Sequence, residues 1–499
     1  MSKKIFVIFA LIILFTTAFI SCKTESAETI EKITEQTVKK EDTSNESKDP
    51  NERVMPDLPD MDFNGKVFKV LGRDNATYSQ FVNFEIDAAE ITGDIVNDAV
   101  YNRNRRLEEK YNVVIEKNLD EEPAGLLQRL IKSGDDEYSL AFITQMNIGS
   151  MATSGMFCDL NSMKYLDFDK PWWNREVNKS VSVKNRLYFT TSDFNMMDKN
   201  RTYMLVYNKD MAQEYALGNL YDLVYENKWT IDKMTELSKV AAKDVDGDGL
   251  MTDADQWGYT ISARVSFYVL FAGSGNSIVI KDSENNPVLS VNNEQAISTI
   301  DKILNLTNDK RSSFYCEDLI GKVSYDYWSA AGNVFRDKRA LFSDAFPHSL
   351  KYNTASEVNY GVLPFPKYDE NQKNYIGVVD PYHAAVFGIP ITVQDTDFSA
   401  FMLEALSAAS KYEVMPYFYE ISTQTKYTHD EESPKMLDII FNGIRYDLAC
   451  LYNWGEICNI LRWDIPESGV NNFVSSYEKI EAKVKAEMEK TIEAFKTLD

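Results

Sequence analysis

Short, mostly apolar runs alternate with amphipathic stretches through the part of the chain that follows residue 60. The runs Val67–Leu71, Asn112–Ile115 and Tyr138–Ile143 predict strands, because each is short and bounded by polar residues. Between them, apolar residues recur at helical spacing over Asn97–Tyr111 and Leu126–Ser133. Strands that alternate with helices indicate a mainly parallel sheet covered on both faces, so we expect an α/β fold.

Ligands of such sheets bind outside the carboxyl ends of the strands. This rule selects the loops that follow the first and third predicted strands. Their polar and aromatic side chains are candidates for ligand contact: Asp74, Tyr78, Gln145 and Asn147. The alternative for Asp74 is a structural role, since Asp and Asn often shape turns.

Further elements follow along the chain. Apolar patterning predicts strands at Leu187–Thr191 and Thr202–Tyr207, a helix over Ile231–Ala242 that Thr230 caps, and a strand pair around 358–364 and 383–389. The last part is mainly helical. It ends in a long helix, about Phe473–Thr497, in which apolar residues recur every three or four positions and form one stripe.

The amino terminus has a different pattern. Lys3 and Lys4 precede an apolar run, Ile5–Ile20, that is short for a membrane span of about 20 residues. Such a run after a charged start, with Ser21 before the break, predicts a secretory signal sequence over residues 1–22. Cys22 directly after it suggests a bacterial lipoprotein, cleaved before Cys22 and lipidated on its sulfur, although Phe19 stands where such signals usually carry Leu. The alternative is ordinary secretion with Cys22 incidental.

After Cys22 the composition changes to Lys, Glu, Thr and Ser, so residues 23–60 predict a disordered tether. With either signal we expect the protein to work outside the cytoplasm, and lipidation of Cys22 would anchor it to the bacterial membrane. The formal net charge of -24 makes nucleic acid a poor partner and argues against adhesion to anionic membranes through a basic patch. Aromatic residues make up 12% of the chain, which leaves rings available for stacking on sugars.

The cysteines are too few for a disulfide scaffold: Cys22, Cys158, Cys316, Cys450 and Cys458. Cys450 and Cys458 are close in sequence but lie in or beside a predicted helix, whose rise would hold them about 12 Å apart. We therefore expect free thiols.

The clearest chemical motif is an acidic loop that begins at Asp244. Carboxylates at its first, third and fifth positions, a glycine at the sixth, a backbone carbonyl at the seventh and an acid at the twelfth form the pattern of a calcium loop. The ligands would be Asp244, Asp246, Asp248, Leu250 and Asp255. A strand rather than a helix follows, so we expect a structural Ca²⁺ and not a switch. The alternative is an acidic turn without metal.

Motifs of several enzyme classes are absent from the sequence. There is no P-loop and no HExxH, and the three histidines, His348, His383 and His429, are far apart in sequence. Paired carboxylates for glycoside hydrolysis stay open, because 77 acidic residues make chance pairs easy. We assign no catalytic residue and no catalytic cofactor.

The order of several segments resembles the extracellular solute-binding proteins of bacterial ABC importers, in the maltose-binding-protein-like family that binds sugars and oligosaccharides. The segments are Gly155–Leu160, Tyr203–Asp210, Lys228–Thr230, Asp255–Tyr259 and Tyr360–Pro366. The resemblance implies two α/β lobes joined by a hinge, the first lobe holding about 62–192 and 357–410 and the second about 200–340 and 411–499. It also implies a monomer that closes on a sugar and delivers it to a membrane permease. Cys158 and Cys316 then belong to opposite lobes.

The resemblance adds candidate ligand contacts from the hinge, from the second lobe and from the segment before a first-lobe strand. They are Asp193, Arg264, Phe267, Asp344, Phe346, Asp380, Tyr382 and Trp454. Trp328 is expected in the core, as is Trp257, and Trp172 and Trp173 could shield the cleft edge or pack under a loop. Two alternatives stay open for the function: a surface enzyme that acts on glycans, and a binding protein of the same fold for peptides or another non-sugar solute.

Overall fold

The computed structural model describes residues 53–323, 326–423 and 431–498. The predicted signal sequence, Cys22, most of the predicted tether and His429 lie outside the described residues. In the described part, no helix is long and apolar enough to cross a membrane.

The described strands are short and mostly buried. They are β1 (Lys66–Arg73), β2 (Val113–Asp120), β3 (Leu140–Thr144), β4 (Met204–Asn208), β5 (Trp257–Ile261), β6 (Val279–Lys281), β7 (Pro287–Leu289), β8 (Ser313–Tyr315), β9 (Ala340–Ala345), β10 (Tyr360–Leu363) and β11 (Ala385–Gly388).

Helices separate most of these strands. They are α1 (Ile95–Tyr111), α2 (Pro123–Ser133), α3 (Gln145–Thr153), α4 (Arg175–Val181), α5 (Met196–Asn200), α6 (Lys209–Glu214), α7 (Leu220–Tyr225), α8 (Ile231–Ala241), α9 (Ala263–Gly273), α10 (Glu294–Thr307), α11 (Trp328–Arg336), α12 (Leu350–Ala355), α13 (Thr396–Glu413), α14 (Met415–Thr423), α15 (Glu432–Asn442), α16 (Leu448–Leu451), α17 (Ile465–Ser468) and α18 (Phe473–Thr497).

The first sheet has the order β11-β3-β1-β2. β1 pairs in parallel with β2 and β3, and β11 pairs antiparallel with β3. Phe68, Val70 and Leu71 of β1 are fully buried, as expected for a central strand covered by helices on both faces. The predicted alternation of strands and helices is confirmed in this sheet, which we call the first lobe together with its helices.

Helix α1 begins at Ile95, two residues before the start that the apolar pattern predicts. The Asp94 carboxylate accepts hydrogen bonds from the backbone N–H groups of Val96 and Asn97, which satisfies donors that a helix start leaves free. Asn112 ends the helix with a positive φ of 49°.

The second sheet has the order β10-β4-β9-β5-β8. β9, β5 and β8 run in parallel, and β4 pairs antiparallel with both β9 and β10. This sheet and its helices form the second lobe. The helix predicted after Thr230 is α8, and the Thr230 side chain accepts from the backbone N–H of Lys233.

Two segments of chain cross side by side between the lobes. Thr190 pairs with Phe387, Thr202 pairs with Val379, and each bridge is antiparallel. The end of β3 lies beside the start of β11, and the end of β9 lies beside the start of β4. The carboxyl ends of the parallel strands in both sheets therefore lie at this crossing.

Two sequence predictions in this region are wrong. The apolar runs at 358–364 and 383–389 do not pair with each other, because β10 pairs with β4 in the second sheet and β11 with β3 in the first. The first part of the range 357–410 thus belongs to the second lobe. Leu187–Thr191 forms no strand and contributes only the bridge at Thr190.

The boundaries at both ends of the folded part also differ from the prediction. Residues 53–60, predicted as tether, lie against the first lobe: Val54 N–H donates to the Tyr412 hydroxyl and Arg53 pairs with Glu413 at 2.6 Å. At the other end, α18 reaches the first lobe, because the ring of Phe495 packs 4.9 Å from that of Tyr188. The range 411–499 is therefore not confined to the second lobe.

The expectation of free thiols at Cys450 and Cys458 is wrong, since these residues form a disulfide with Cα atoms 6.0 Å apart. The predicted helix does not continue between them. Asn453, Gly455 and Glu456 all have positive φ angles, of 51°, 57° and 61°, and turn the chain back. Cys158 and Cys316 are free.

Candidate ligand-binding site between the lobes

Arg201 lies on the first crossing segment at the centre of the candidate site. Its Nη2 donates to Asp380 Oδ2 at 2.7 Å, and each side chain is only 5% exposed. Asp380 lies on the second crossing segment, where its backbone N–H donates to the Arg201 carbonyl oxygen. This buried ion pair thus joins the two segments that connect the lobes.

Aromatic rings from both lobes pack on the Arg201 guanidinium. Its Cζ lies 4.7 Å from the ring centre of Phe81, in the loop after β1, and 4.3 Å from that of Phe346, just after β9. Phe81 stacks on the His383 ring at 3.9 Å, and Phe346 packs 4.5 Å from Tyr203. Guanidinium groups are attracted to aromatic faces. Arg201 therefore holds rings of both lobes at one point.

The histidines take part in the same cluster. His383 Nδ1 lies 2.7 Å from Asp380 Oδ2, and Arg201 Nη1 lies 3.2 Å from His348 Nε2. Burial alone would raise the pKa of Asp380, but the hydrogen bond with His383 and the charge of Arg201 hold that pKa well below its usual range. Asp380 is thus ionised at neutral pH.

The first lobe contributes a cationic and aromatic wall. Arg73, at the end of β1, donates through Nη1 to the Tyr382 carbonyl oxygen at 3.2 Å. Burial lowers the pKa of Arg73. Tyr382 and Tyr78 are 43% and 52% exposed, so both rings are open to a ligand. Tyr78 packs edge-on against Phe81 at 5.7 Å.

The second lobe contributes a similar wall. Arg264, in the first turn of α9, pairs with Glu467 at 3.1 Å and lies 5.0 Å from the ring centre of Trp463. Tyr327 and Trp328 stack on each other at 4.9 Å, and Trp328 is 44% exposed. The prediction that Trp328 lies in the core is therefore wrong.

Asp344 lies at the end of β9 with its carboxylate turned to its own lobe. The hydroxyl groups of Tyr259 (2.6 Å) and Ser266 donate to it. Burial raises the pKa of Asp344 to about 7, against the effect of these two hydrogen bonds. The side chain is partly buried, and it connects β9 to β5 and α9.

The structure brings several of the sequence-predicted residues together. Phe346 and Asp380 contact Arg201 directly, the backbone N–H of Tyr382 donates to Asp380, and Tyr78 contacts the cluster through Phe81. Gln145 starts α3 at the same edge, and its backbone N–H donates to the Ala384 carbonyl.

Other predicted residues have local roles. Asp74 accepts from the backbone N–H of Asn75 and shapes the turn after β1. Asn147 is exposed and bonds to Thr144. Asp193 forms ion pairs with Lys199 at 3.2 Å and Lys411 at 3.5 Å.

Two predicted ligand contacts are buried in the core. Phe267 is 1% exposed on α9 and Trp454 is 2% exposed. Trp454 stacks on Tyr452 at 5.2 Å, and its Nε1 donates to Thr491 of α18. Since α18 covers this ring, Trp454 is a packing residue in this structure and the prediction is wrong.

The tryptophan pair before the crossing is also buried. Nε1 of Trp172 and Nε1 of Trp173 each donate to a different carboxylate oxygen of Glu404, at 3.1 and 2.9 Å. Trp257 lies in the core as expected, 3% exposed.

Sequence reasoning missed Arg201, Phe81, His348 and His383. It also missed Arg462, whose Cζ lies 5.5 Å from the ring centre of Tyr382. Arg201 lies in the predicted crossing segment, which could have indicated it, but Asp193 was the only candidate predicted there. No shared site was predicted for the histidines, because they are far apart in sequence. The fold brings two of them to the Arg201–Asp380 pair, which spacing along the chain does not indicate.

The acidic loop before β5 has its carboxylates gathered. Asp244, Asp246 and Asp255 each contribute one carboxylate oxygen, and these three oxygens lie within 4.8 Å of one another. Gly249 adopts a φ of 84°, and its N–H donates to Asp244. Asp255 is 1% exposed, and hydrogen bonds from the Val245 and Thr252 backbone N–H groups lower its pKa.

No protein-family model and no curated protein sequence matches this chain. Several solved structures, in contrast, match its fold. A cyclo/maltodextrin-binding protein complexed with maltotetraose matches with a TM-score of 0.53 and 13% identity, covering 87% of this chain and 98% of that one.

Two further structures match below a TM-score of 0.5. An ABC substrate-binding protein from Listeria monocytogenes in complex with cycloalternan has a TM-score of 0.49 and 12% identity, covering 86% of this chain and 99% of that one. A maltose/maltodextrin-binding domain from Bdellovibrio bacteriovorus bound to maltotriose has a TM-score of 0.47 and 15% identity, covering 86% and 98%.

At these identities the likeness concerns the fold alone, and it rests on the first of the three structures. The chain has the two-lobed α/β fold of that maltodextrin-binding protein, with two sheets flanked by helices. The fold class expected from the sequence is confirmed.

Proposed function

We propose that this chain is a solute-binding protein that captures a sugar or an oligosaccharide between its lobes. The observation that carries the proposal is the Arg201 cluster, where Phe81 of one lobe and Phe346 of the other pack on the same guanidinium. Tyr78 and Tyr382 beside it, and Trp328 on the second-lobe wall, are exposed rings that offer apolar faces. Sugars present apolar C–H faces and polar hydroxyl groups, and such a site suits both.

The proposed mechanism is closure of the lobes without chemistry. A ligand that touches both walls favours the arrangement in which the walls are close, by the difference between its affinities for the closed and open forms. The crossing segments act as the hinge, since isolated bridges at Thr190 and Thr202 and the Arg201–Asp380 pair join them, rather than a continuous strand ladder.

Delivery and anchoring complete the proposal. We place the folded part outside the cytoplasm, lipidated at Cys22 and acting as a monomer that passes its ligand to an ABC permease. The sequence of residues 1–22 supports this location. The Cys450–Cys458 disulfide also supports it, because such bonds persist in oxidising compartments.

Isothermal titration with a panel of neutral and acidic oligosaccharides tests the binding function. We expect at least one compound to bind, and small-angle scattering to show a smaller radius of gyration in its presence. The matched variants are Tyr382→Ala and Tyr417→Ala, since both rings are 43% exposed but only Tyr382 lies at the site.

Tyr382→Ala should weaken binding about tenfold through the lost ring contact, whereas Tyr417→Ala should not. Absence of binding across the panel would contradict the proposal, as would products released from any oligosaccharide, which would indicate the glycan-acting enzyme.

We also propose that the loop at 244–255 holds Ca²⁺. Asp244, Asp246 and Asp255 would supply carboxylate oxygens, with Asp248 and the Leu250 carbonyl completing the set. Oxygen ligands of this kind suit a hard cation, and the gathered carboxylates support the proposal. Bound Ca²⁺ would offset the repulsion among these acids and fix the loop before β5.

A further inference from the structure

The acids at the Arg201 cluster and on the second-lobe wall all have donors in the structure. Asp380 accepts from Arg201 and from the backbone N–H of Tyr382, and Asp344 accepts from Tyr259 and Ser266. The other two acids are on the second lobe. Glu317 accepts from Ser262 and from the first backbone N–H groups of α9, and Glu467 pairs with Arg264.

Two arginines of the site lack an oppositely charged partner within the described residues. Arg73 and Arg462 form no ion pair with a described carboxylate, although both lie against Tyr382. Arg73 donates to the Tyr382 carbonyl, and Arg462 Cζ lies 5.5 Å from the Tyr382 ring centre and 4.6 Å from that of Tyr268. Arg462 is only 6% exposed. Asp447 acts on Arg462 through its charge, but its carboxylate accepts from backbone N–H groups and forms no ion pair with the guanidinium. A nearly buried guanidinium without a carboxylate in contact is unfavourable unless something else supplies negative charge.

Two further arginine nitrogens lack hydrogen-bond acceptors in the part of the chain that the structure describes, which also indicates a missing anionic partner. Arg201 Nε and Arg264 Nε are buried donors without a partner among the described residues. An arginine has only donors, so its missing partner must be an acceptor. The site therefore combines acids that already accept hydrogen bonds with guanidinium nitrogens that lack a described acceptor, in a chain whose formal net charge is -24.

A neutral sugar does not match this imbalance well. Each hydroxyl both donates and accepts, so a neutral oligosaccharide needs free acceptors on the protein as well as donors. An anionic oxygen only accepts, and guanidinium groups bind carboxylate and sulfate strongly and in fixed geometry.

We infer that the ligand is an acidic oligosaccharide, whose carboxylate or sulfate groups bind Arg73 and Arg462 on either side of Tyr382 while its rings stack on the exposed aromatic side chains. This inference rests on the proposed function and names its ligand class. Arg73 is at the end of β1 in the first lobe, and Arg462 belongs to the helical turn Ile460–Asp464, which packs on α9 of the second lobe. An anion held by both would draw the lobes together.

The test uses uronate oligosaccharides of pectin, alginate, glucuronoxylan and hyaluronan, each as the free acid and as its methyl ester, with a sulfated oligosaccharide set and neutral maltotriose and cellotriose. The methyl ester keeps the sugar skeleton and removes the charge. We expect at least one free acid or sulfated compound to bind. We expect the uncharged counterpart to bind at least tenfold more weakly, and the affinity for the charged form to fall as salt rises.

Substitutions of Arg73 test whether this residue binds the charged group of the ligand. Arg73→Gln should weaken binding of the acid at least tenfold and change binding of its ester little, while Arg73→Lys should keep part of the affinity. Arg311→Gln is the matched control, an 87% exposed arginine before β8. It should leave both affinities unchanged.

The outcomes separate the two proposals. Binding of a neutral oligosaccharide without binding of any acid would overturn this inference and leave the proposed function standing. Equal affinity for acid and ester would also overturn it. Absence of binding by every compound, neutral or charged, would overturn the proposed function together with the inference.

Discussion

Arg201 and Asp380 form an ion pair on which the candidate site depends. Both side chains are almost fully buried, and rings from both lobes pack on the guanidinium. Breaking a buried pair leaves an uncompensated charge, which costs about 3–5 kcal/mol, whereas removing both charges costs less.

Asp380→Asn should therefore lower the free energy of unfolding by about 3–5 kcal/mol. The double variant Arg201→Met/Asp380→Leu should lose less, because no charge is left unpaired. Urea denaturation monitored by circular dichroism measures both. A single variant as stable as the native chain would contradict the role assigned to this pair.

Sequence reasoning at the residue scale found part of this site. The resemblance to solute-binding proteins supplied Phe346, Asp380 and Tyr382 as candidates, and the structure brings these together. It missed Arg201 and the histidines because their contacts join segments far apart in the chain. It misplaced Trp454 because composition does not show that α18 covers the ring.

Among the elements, the segment between α16 and α18 differs most from its prediction. The helical spacing of apolar residues there gave no sign of the positive φ angles at Asn453, Gly455 and Glu456. These angles bring Cys450 and Cys458 together. Strand and helix alternation in the first lobe was predictable, since periodicity reports local structure, whereas the sheet to which β10 belongs depends on pairing across the fold.

The double variant Cys450→Ser/Cys458→Ser should be less stable than the native chain by about 2–3 kcal/mol, because the disulfide closes a short loop in the unfolded state. Thermal denaturation under reducing and non-reducing conditions checks this. The reductant should lower the melting temperature of the native chain and leave the variant unchanged. A native chain insensitive to a reductant that has cleaved the bond would contradict this expectation.

The acidic loop before β5 makes a second prediction at this scale. If Ca²⁺ is bound, EDTA should lower the melting temperature and added Ca²⁺ should restore it, because a ligand of the folded state stabilises that state. Asp246→Asn should reduce the response. Asp253→Asn is the control, an acid of the same loop outside the proposed ligand positions. No bound metal and no shift with EDTA would contradict calcium binding.

For the whole molecule, buried carboxyl groups set the dependence of stability on pH. Burial raises the pKa of Glu85, Asp344 and Glu404 to about 7 and that of Asp447 to about 6. In the unfolded chain such groups titrate near pH 4. Between these values the folded chain binds more protons than the unfolded chain, so stability falls as pH rises from about 4 to about 7.

The melting temperature should consequently be higher at pH 5 than at pH 8. The lowered pKa of Asp380 acts in the opposite sense, but only as pH falls below about 4. Glu404→Gln should flatten the dependence, since it removes one of the titrating groups, and the exposed Glu489→Gln should not. A native melting temperature that rises from pH 5 to pH 8 would contradict this account.

Hydrogen–deuterium exchange with and without the best-binding oligosaccharide tests the central claim most directly, because it reports on both lobes at once. The account predicts slower exchange in four segments together: 73–81 and 380–384 at the first lobe, and 201–203 and 344–348 at the crossing and the second lobe. Slower exchange confined to one lobe, or to a surface away from Arg201, would contradict it.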